Sequence, residues 1–511
     1  HEKQYNPYLK IKFVITGVRM IKVILSDRTY ENDIHPLVKA FYPKESVEVT
    51  DREDLDASED ITGFIRMDFD KNILCIRADI EGRQHQTVAD LPDLIAEKTA
   101  FKNAMKRKLY KTLSFICEKE LPWGILTGIR PTKLVYEMLE KGFSVDDIYD
   151  IMEKEYLCSR EKTVLSIDIA NRERKILHDM DYQNGYSLYI GIPFCPSTCL
   201  YCSFPSFSAE RYKDRIESYL DALEKEIRYG ANCFPDKKLI CVYLGGGTPT
   251  SLNAGQLDRL LGLIRQQYDF TYVREFCVEA GRPDSITGEK LEVLKKWGVN
   301  RISINPQTMQ QKTLDLIGRR HTVKQIEEAF ILARQMGFDN INMDIIIGLP
   351  GETPEDVEDT LYKVGEFGPD SLTVHTLAIK RAARLNTEKE NYYSLQPVNV
   401  PKMLELSMEF ARKNDYLPYY LYRQKNMADN FENIGYAKAG KEGLYNILIM
   451  EEKQTILAFG AGALSKFVFY DENRIERVDN VKNLNDYIER IDEMIERKRD
   501  FLLRNPQLLN R

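Results

Sequence analysis

From residue 185 onward the chain alternates between short apolar runs and longer stretches of helical spacing. The apolar runs occupy 188–194, 239–244, 275–280, 301–305, 341–347 and 371–377. They carry Ile, Val and Leu at consecutive positions, as strands buried on both faces do. Recurrence, every roughly 25–40 residues after a longer first interval, predicts six βα units with parallel strands, an α/β fold whose working end lies at the carboxyl ends of the strands. Upstream, 10–15 and 21–25 predict strands, and 64–69 with 73–80 predict a hairpin around Asp70, Lys71 and Asn72. The stretch 95–117 predicts a basic amphipathic helix with a solvated face. The run 122–134, with Trp123, Gly124, Gly128 and two prolines, predicts a rigid loop. Past 396, 400–413 and 483–503 are amphipathic, with an aromatic and glycine-rich section between them, so this end is expected to be mostly helical. The pattern divides the chain into an α+β domain at 1–183, a βα domain at 184–395 and a helical domain at 396–511.

Composition narrows the class. With 43% apolar and 30% charged residues over 511 positions, the chain can bury more than one core. A net charge of −7 gives no basic footprint for nucleic acid, so no nucleic-acid partner is expected. No run approaches the ~20 apolar residues of a membrane span, and the first residues lack the pattern of a secretory signal. Six of the nine cysteines (Cys75, Cys117, Cys158, Cys233, Cys241 and Cys277) are scattered, mostly in apolar runs. Reduced thiols and a cytoplasmic location are the expectation.

The other three cysteines carry the chemistry. Cys195, Cys199 and Cys202 form a C-x3-C-x2-C run directly after the first apolar strand. Three thiolates hold three irons of a [4Fe–4S] cube and leave the fourth iron open, whereas four would close it. A helical stripe of small residues has the same spacing, but Pro193 and Pro196 break a helix there. A zinc site would need a fourth ligand, and none follows at the usual spacing. Beyond the cysteines, polar residues end or interrupt successive strands. Gly245, Gly246 and Gly247, then Thr248, follow the second, where backbone can approach a ligand closely. Glu279 ends the third, a costly place for a carboxylate without a partner, although a salt-bridged rim residue would fit too. Gln307 follows the fourth, and the guanidinium of Arg319 suits a carboxylate. Asp344 lies inside the fifth and needs a donor nearby.

The cysteine run, with the aromatic Tyr201 before its third cysteine, resembles the signature of radical S-adenosylmethionine (radical SAM) enzymes. That resemblance implies a [4Fe–4S] cluster whose open iron is chelated by SAM, and reductive cleavage of SAM to methionine and a 5′-deoxyadenosyl radical. It also implies a partial (β/α)6 radical SAM barrel, flanked here by the N-terminal α+β domain and the C-terminal helical domain. The glycine turn resembles the family's SAM-binding loop. Over 186–470, the whole set is similar to the oxygen-independent coproporphyrinogen III dehydrogenase family, and most like its HemZ branch. By that resemblance Tyr189 contacts SAM near the cluster, and Gly246, Gly247, Thr248, Glu279 and Arg319 hold its methionine end. Gln307 and Asp344 hold the ribose, and Tyr201, Ile346 and Ala378 line the adenine. Tyr189, Glu279 and Arg319 are the residues expected nearest the chemistry. The implied reaction converts coproporphyrinogen III to protoporphyrinogen IX by oxidative decarboxylation, with a reduced flavodoxin or ferredoxin as electron donor and a monomer as the working unit. Arg381, Arg384, Arg423 and Lys425 are candidate cations for the propionates, read individually as surface charges, and His321 is a candidate proton donor read as a solvated loop residue. Two positions depart from the dehydrogenase pattern: Phe204 stands where a further cysteine is usual, and Gly191 where a histidine is. They keep two other readings open, a haem-binding chaperone of the HemW type and a haem-modifying or haem-degrading radical SAM enzyme.

Overall fold

The computed structural model describes residues 19–52, 61–94, 97–128, 130–202, 206–378, 383–387, 399–423 and 431–509. It divides into two compact units, one built from residues up to Thr127 together with Asp146–Thr163, the other from Gly128–Val145 together with residues from Val164 onward.

In the first unit five strands form a sheet in the order β2-β1-β3-β4-β5: β1 (Met20–Leu25), β2 (Ser46–Thr50), β3 (Ile61–Asp70), β4 (Ile73–Ile80) and β5 (Arg83–Asp90). β1 runs parallel to both β2 and β3, and the next two pairings are antiparallel. The expected hairpin joins β3 to β4, with Lys71 in the left-handed region that its tight turn requires. Alternate residues Ile21, Val23 and Leu25 of β1 and Ile65 and Met67 of β3 are buried with apolar residues of the helices Glu31–Phe41 and Lys98–Cys117. The second of these is the expected basic helix. Its Lys102 is tied to Asp33 at 2.7 Å, so part of its polar face is engaged. Trp123 is buried. The strand expected at 10–15 lies outside the described residues.

The second unit is built on an eleven-stranded sheet. Its centre is the six expected strands: β6 (Gly185–Ile192), β9 (Lys238–Gly246), β10 (Glu275–Glu279), β11 (Arg301–Ser303), β12 (Ile341–Ile347) and β13 (Ser371–Thr376), each parallel to its neighbour in chain order. The intervening β7 (Phe194–Cys195) and β8 (Phe207–Ser208) are a separate short pair that brackets the cysteine loop. The helices 254–267, 323–335 and 354–367 each open with a capping box, at Asn253, Thr322 and Thr353, which satisfies backbone donors at their first turns.

The region past 399 departs from the expected helical character. It keeps the helices Val400–Lys413 and Ile491–Arg504 but also supplies five strands: β14 (Leu417–Tyr422), β15 (Asn433–Ala437), β16 (Thr455–Phe459), β17 (Leu464–Phe469) and β18 (Arg474–Asp479). β15 pairs antiparallel with β13 and carries β14, while β16 runs parallel to β6 and carries β17 and β18. The aromatic section, in an end expected to be mostly helical, is thus largely sheet, and its strands flank the six parallel strands on both sides. A fully buried cluster ties the last long helix in place. The Glu226 carboxylate accepts from Lys498 Nζ at 2.7 Å, Asn480 Nδ2 at 2.8 Å, Tyr487 Oη at 2.6 Å and Gly460 N at 2.9 Å.

Candidate active site

The site gathers at the carboxyl ends of the parallel strands. Cys195 ends β7, and the loop that follows is pinned by backbone and side-chain bonds: Leu200 N to Ile317 O at 2.9 Å, Cys202 N to Cys199 O at 3.2 Å, and Ser197 Oγ to Gly318 O at 2.9 Å. Cys195 and Cys202 are partly accessible and Cys199 is buried. Burial pushes the Cys195 thiol up to about 11, opposed by the Thr248 hydroxyl and reinforced by the two neighbouring cysteines. The three thiols therefore lie within electrostatic reach of one another. Among the described residues no three His, Cys, Asp or Glu side chains converge as a ready-made metal cage. Phe204 lies outside the described residues.

Two of the three sulfurs have donors beside them. Thr248 Oγ1 donates to Cys195 Sγ at 3.5 Å. Arg282, buried just past β10, reaches Cys199 Sγ from Nη1 at 3.9 Å. The same nitrogen donates to Ser197 O at 3.2 Å and Ser197 Oγ at 3.1 Å. Asp284 grips the other side of the guanidinium, Nε to Oδ1 at 3.0 Å and Nη2 to Oδ2 at 2.8 Å.

The glycine turn closes against this loop. Gly247 N donates to Ile192 O and Thr248 N to Phe194 O, at 2.8 and 2.7 Å. Gly246 has φ +105°, a conformation that L side chains rarely adopt, and a Cβ on Gly247 would lie 2.6 Å from Phe194 O. Tyr189 lies beneath, its hydroxyl 3.2 Å from where a Gly246 Cβ would be. Its ring belongs to a stack with Tyr243 and Tyr445, the latter two 4.3 Å apart between centroids. Tyr243 donates to Glu279. Burial pushes the Glu279 carboxyl up to about 7; the Tyr243 bond opposes this and the Asp344 charge adds to it.

Further round the sheet, Arg319 is buried, donating to Asn305 O and, at 3.2 Å, to Gly281 O. Gln307 adopts φ 69° and bridges to β12, donating to Asp344 O at 2.9 Å and accepting from Ile346 N at 2.8 Å. Asp344 accepts from Asn342 Nδ2 at 2.7 Å and lies 3.8 Å from His375 Nε2, so its carboxyl stays below the usual range although burial acts the other way. Ile346 packs with Leu200, Ile317, Leu349 and Leu385, and Tyr201 lies against that cluster. Ala378 follows β13 and is half-buried.

Some polar atoms of this region are left over. Among the described residues, Asn305 Oδ1, Gln307 Oε1, Arg319 Nε and both ring nitrogens of His321 are buried without a hydrogen-bond partner. Such orphaned donors and acceptors are costly, and they sit beside an apolar wall and a carboxylate. Together they fit a zwitterionic amino acid carrying a sugar and a base, next to thiols with sulfur-facing donors. The residues present thus fit both a cluster and SAM.

Several of these were not singled out in the sequence. Arg282, Tyr243, Tyr445, Asn305 and His375 each contribute. Two expectations are corrected. His321 is fully buried, not solvated, because its loop folds under Asp284, with Nδ1 3.8 Å from Oδ1. Arg423 is buried at the end of β14, not a surface charge. Arg384 is exposed as read, and Arg381 and Lys425 lie outside the described residues.

The arrangement defines a class, and the comparisons agree with it. The sequence model of the Radical SAM superfamily matches residues 189–363. The chain is 42% identical over 421 residues to the oxygen-independent coproporphyrinogen-III oxidase-like protein HemZ of Bacillus subtilis (strain 168), covering 80% of this chain and 83% of the relative. It is 34% identical over 280 residues to the heme chaperone HemW of the same organism, 54% of this chain and 70% of the relative. It is 38% identical over 192 residues to the oxygen-independent coproporphyrinogen III oxidase of Salmonella typhimurium, 38% of this chain and 42% of the relative. The chain belongs to the radical SAM superfamily and, within it, to the family of HemZ-like, oxygen-independent coproporphyrinogen III oxidase-like proteins. Its cofactors are a [4Fe–4S] cluster and SAM. Among the described residues, no helix is long and apolar enough to cross a membrane.

Proposed function

We propose that this protein oxidatively decarboxylates coproporphyrinogen III to protoporphyrinogen IX. The observation that carries the reading is the juxtaposition, at one end of the parallel sheet, of the cysteine loop, the Glu279 carboxyl and the buried Arg319 with its spare Nε donor. The likeness to the HemZ protein, which spans most of both chains, supports the choice of tetrapyrrole.

In this reading Cys195, Cys199 and Cys202 ligate three irons. Tyr189, Gly246, Gly247, Thr248, Glu279 and Arg319 receive the methionine end of SAM, a carboxylate and an ammonium that Arg319 and Glu279 match in charge. Gln307 and Asp344 take the ribose, and Tyr201, Ile346 and Ala378 enclose the adenine. When bound, the two cofactors supply a 5′-deoxyadenosyl radical. The chain's own residues hold the substrate and exclude water. At each of two propionates a hydrogen atom leaves the β-carbon, the carboxylate departs as CO2, and one electron passes to an acceptor, leaving a vinyl group. A reduced flavodoxin or ferredoxin supplies the reducing electron, and the protein works as a cytoplasmic monomer. The strands past 399 form part of the substrate enclosure.

A second reading, stoichiometric haem binding, draws on the likeness to the HemW chaperone and on Gly191. A Cβ at Gly191 would sit 3.3 Å from Phe459 O and 3.4 Å from the Tyr189 ring, so a histidine there would require β6 and β16 to shift. The test is anaerobic incubation of reconstituted protein with a reductant, SAM and either coproporphyrinogen III or haem, followed by mass spectrometry. Loss of two carboxyl groups from the porphyrinogen supports the first reading. Unchanged porphyrinogen with tight, unmodified haem overturns it in favour of the second, and a changed haem mass indicates a haem-modifying enzyme.

A further inference from the structure

We infer that Arg282, held by Asp284, is a positioning residue that sets the reduction potential of the cluster. The inference stands on the three-cysteine cluster and not on which tetrapyrrole is turned over. Arg282 is 2% exposed, and all three of its guanidinium nitrogens are engaged. One side meets both Asp284 oxygens, a bidentate pair that fixes the plane of the guanidinium. The other side presents Nη1 to Ser197 O, Ser197 Oγ and Cys199 Sγ. A single side chain therefore both ties the loop between the first two cysteines and aims an N–H at a cluster-ligating sulfur.

Hydrogen bonds and charge at the sulfurs are among the determinants of an iron–sulfur potential, and groups behind the ligands tune a metal site as well as orient it. Reduction adds one negative charge to the cluster. A fixed positive charge and an N–H donor at Cys199 favour that added charge, so Arg282 raises the potential and eases reduction by a one-electron donor. Asp284 acts in the opposite electrostatic sense, since its negative charge offsets part of the guanidinium's while holding it in place. The two residues are thus predicted to move the potential in opposite directions, which a purely structural clamp would not do.

The experiment is an EPR-monitored redox titration of anaerobically reconstituted, full-length protein, for the wild type and the variants Arg282→Met, Arg282→Lys and Asp284→Asn, each with its iron content measured. Arg282→Met is expected to lower the reduced-to-oxidised ratio at a fixed potential about tenfold, a shift of about 59 mV to more negative values for a one-electron couple. Arg282→Lys, which keeps the charge but not the fork, is expected to fall between it and the wild type. Asp284→Asn is expected to shift the midpoint to more positive values. Should Arg282→Met fail to load a cluster, Asp284→Asn decides alone. An unchanged or more negative midpoint in Asp284→Asn, or equal midpoints for Arg282→Met and wild type, overturns the proposal. A wild type that loads no cluster contradicts the cofactor reading itself.

Discussion

Glu279 gives a prediction whose size follows from its surroundings. Burial raises its carboxyl to about 7, so the unliganded site is mostly protonated in mildly acidic solution. A SAM ammonium is matched by the ionised form, so SAM affinity rises with pH while the carboxyl is still mostly neutral. Between pH 5.5 and 6.5 the ionised fraction grows about eightfold for a group titrating near 7, equivalent to about 1.2 kcal/mol of binding free energy. The substrate's own α-amino group stays protonated in that window. His321, which burial holds neutral down to about 3, contributes nothing to the slope. The assay is anaerobic isothermal titration of SAM into cluster-loaded protein at several pH values, with Glu279→Gln as the control. The Gln variant is expected to bind more weakly at pH 6.5 and to lose the slope. A flat wild-type Kd, or the same slope in Glu279→Gln, refutes the assignment. The same raised carboxyl has a consequence for folding: the native state holds a proton that the unfolded chain releases above about 4.5. Ligand-free stability therefore falls as pH rises from about 4.5 to 7, by about 3 kcal/mol from this group.

Other predictions follow from single contacts. Lys498→Met leaves the Glu226 carboxylate buried without its cation and is expected to cost about 3–5 kcal/mol in urea unfolding; combining it with Glu226→Gln should cost less than the sum of the two single changes. Gly247→Ala places a methyl 2.6 Å from Phe194 O, displaces the strand that ends in Cys195, and is expected to lower iron content on reconstitution while leaving the circular dichroism spectrum intact. Cys199→Ala is expected to abolish the cluster's absorbance and all SAM cleavage, with the protein still folded.

The sequence made the centre of the molecule legible for a physical reason. Strands buried on both faces must be apolar throughout, so Ile341–Ile347 and Lys238–Gly246 announce themselves, and an Asp344 inside such a run stands out. Gly246 stood out as part of a glycine run after a strand, and its positive φ in the structure is one that glycine suits. The strands at the flanks of the sheet were not. β16 pairs with β6 across some 270 positions of chain, and its five residues carry no alternation that separates a strand from a short helix. The role of Arg282 was hidden for the same reason: its partner Cys199 is 83 positions away, and only the fold brings them together. His321 looked like a solvated loop residue because Asp284, whose Oδ1 lies 3.8 Å from its Nδ1, is far away in the chain.

The measurement that tests the account most directly follows a hydrogen atom. Coproporphyrinogen III deuterated at the propionate β-carbons is incubated anaerobically with reconstituted protein, SAM and reductant, and 5′-deoxyadenosine is examined by mass spectrometry. The account predicts deuterium in 5′-deoxyadenosine in step with loss of CO2 from the porphyrinogen, and neither in Cys199→Ala. Unlabelled 5′-deoxyadenosine beside intact coproporphyrinogen would contradict it.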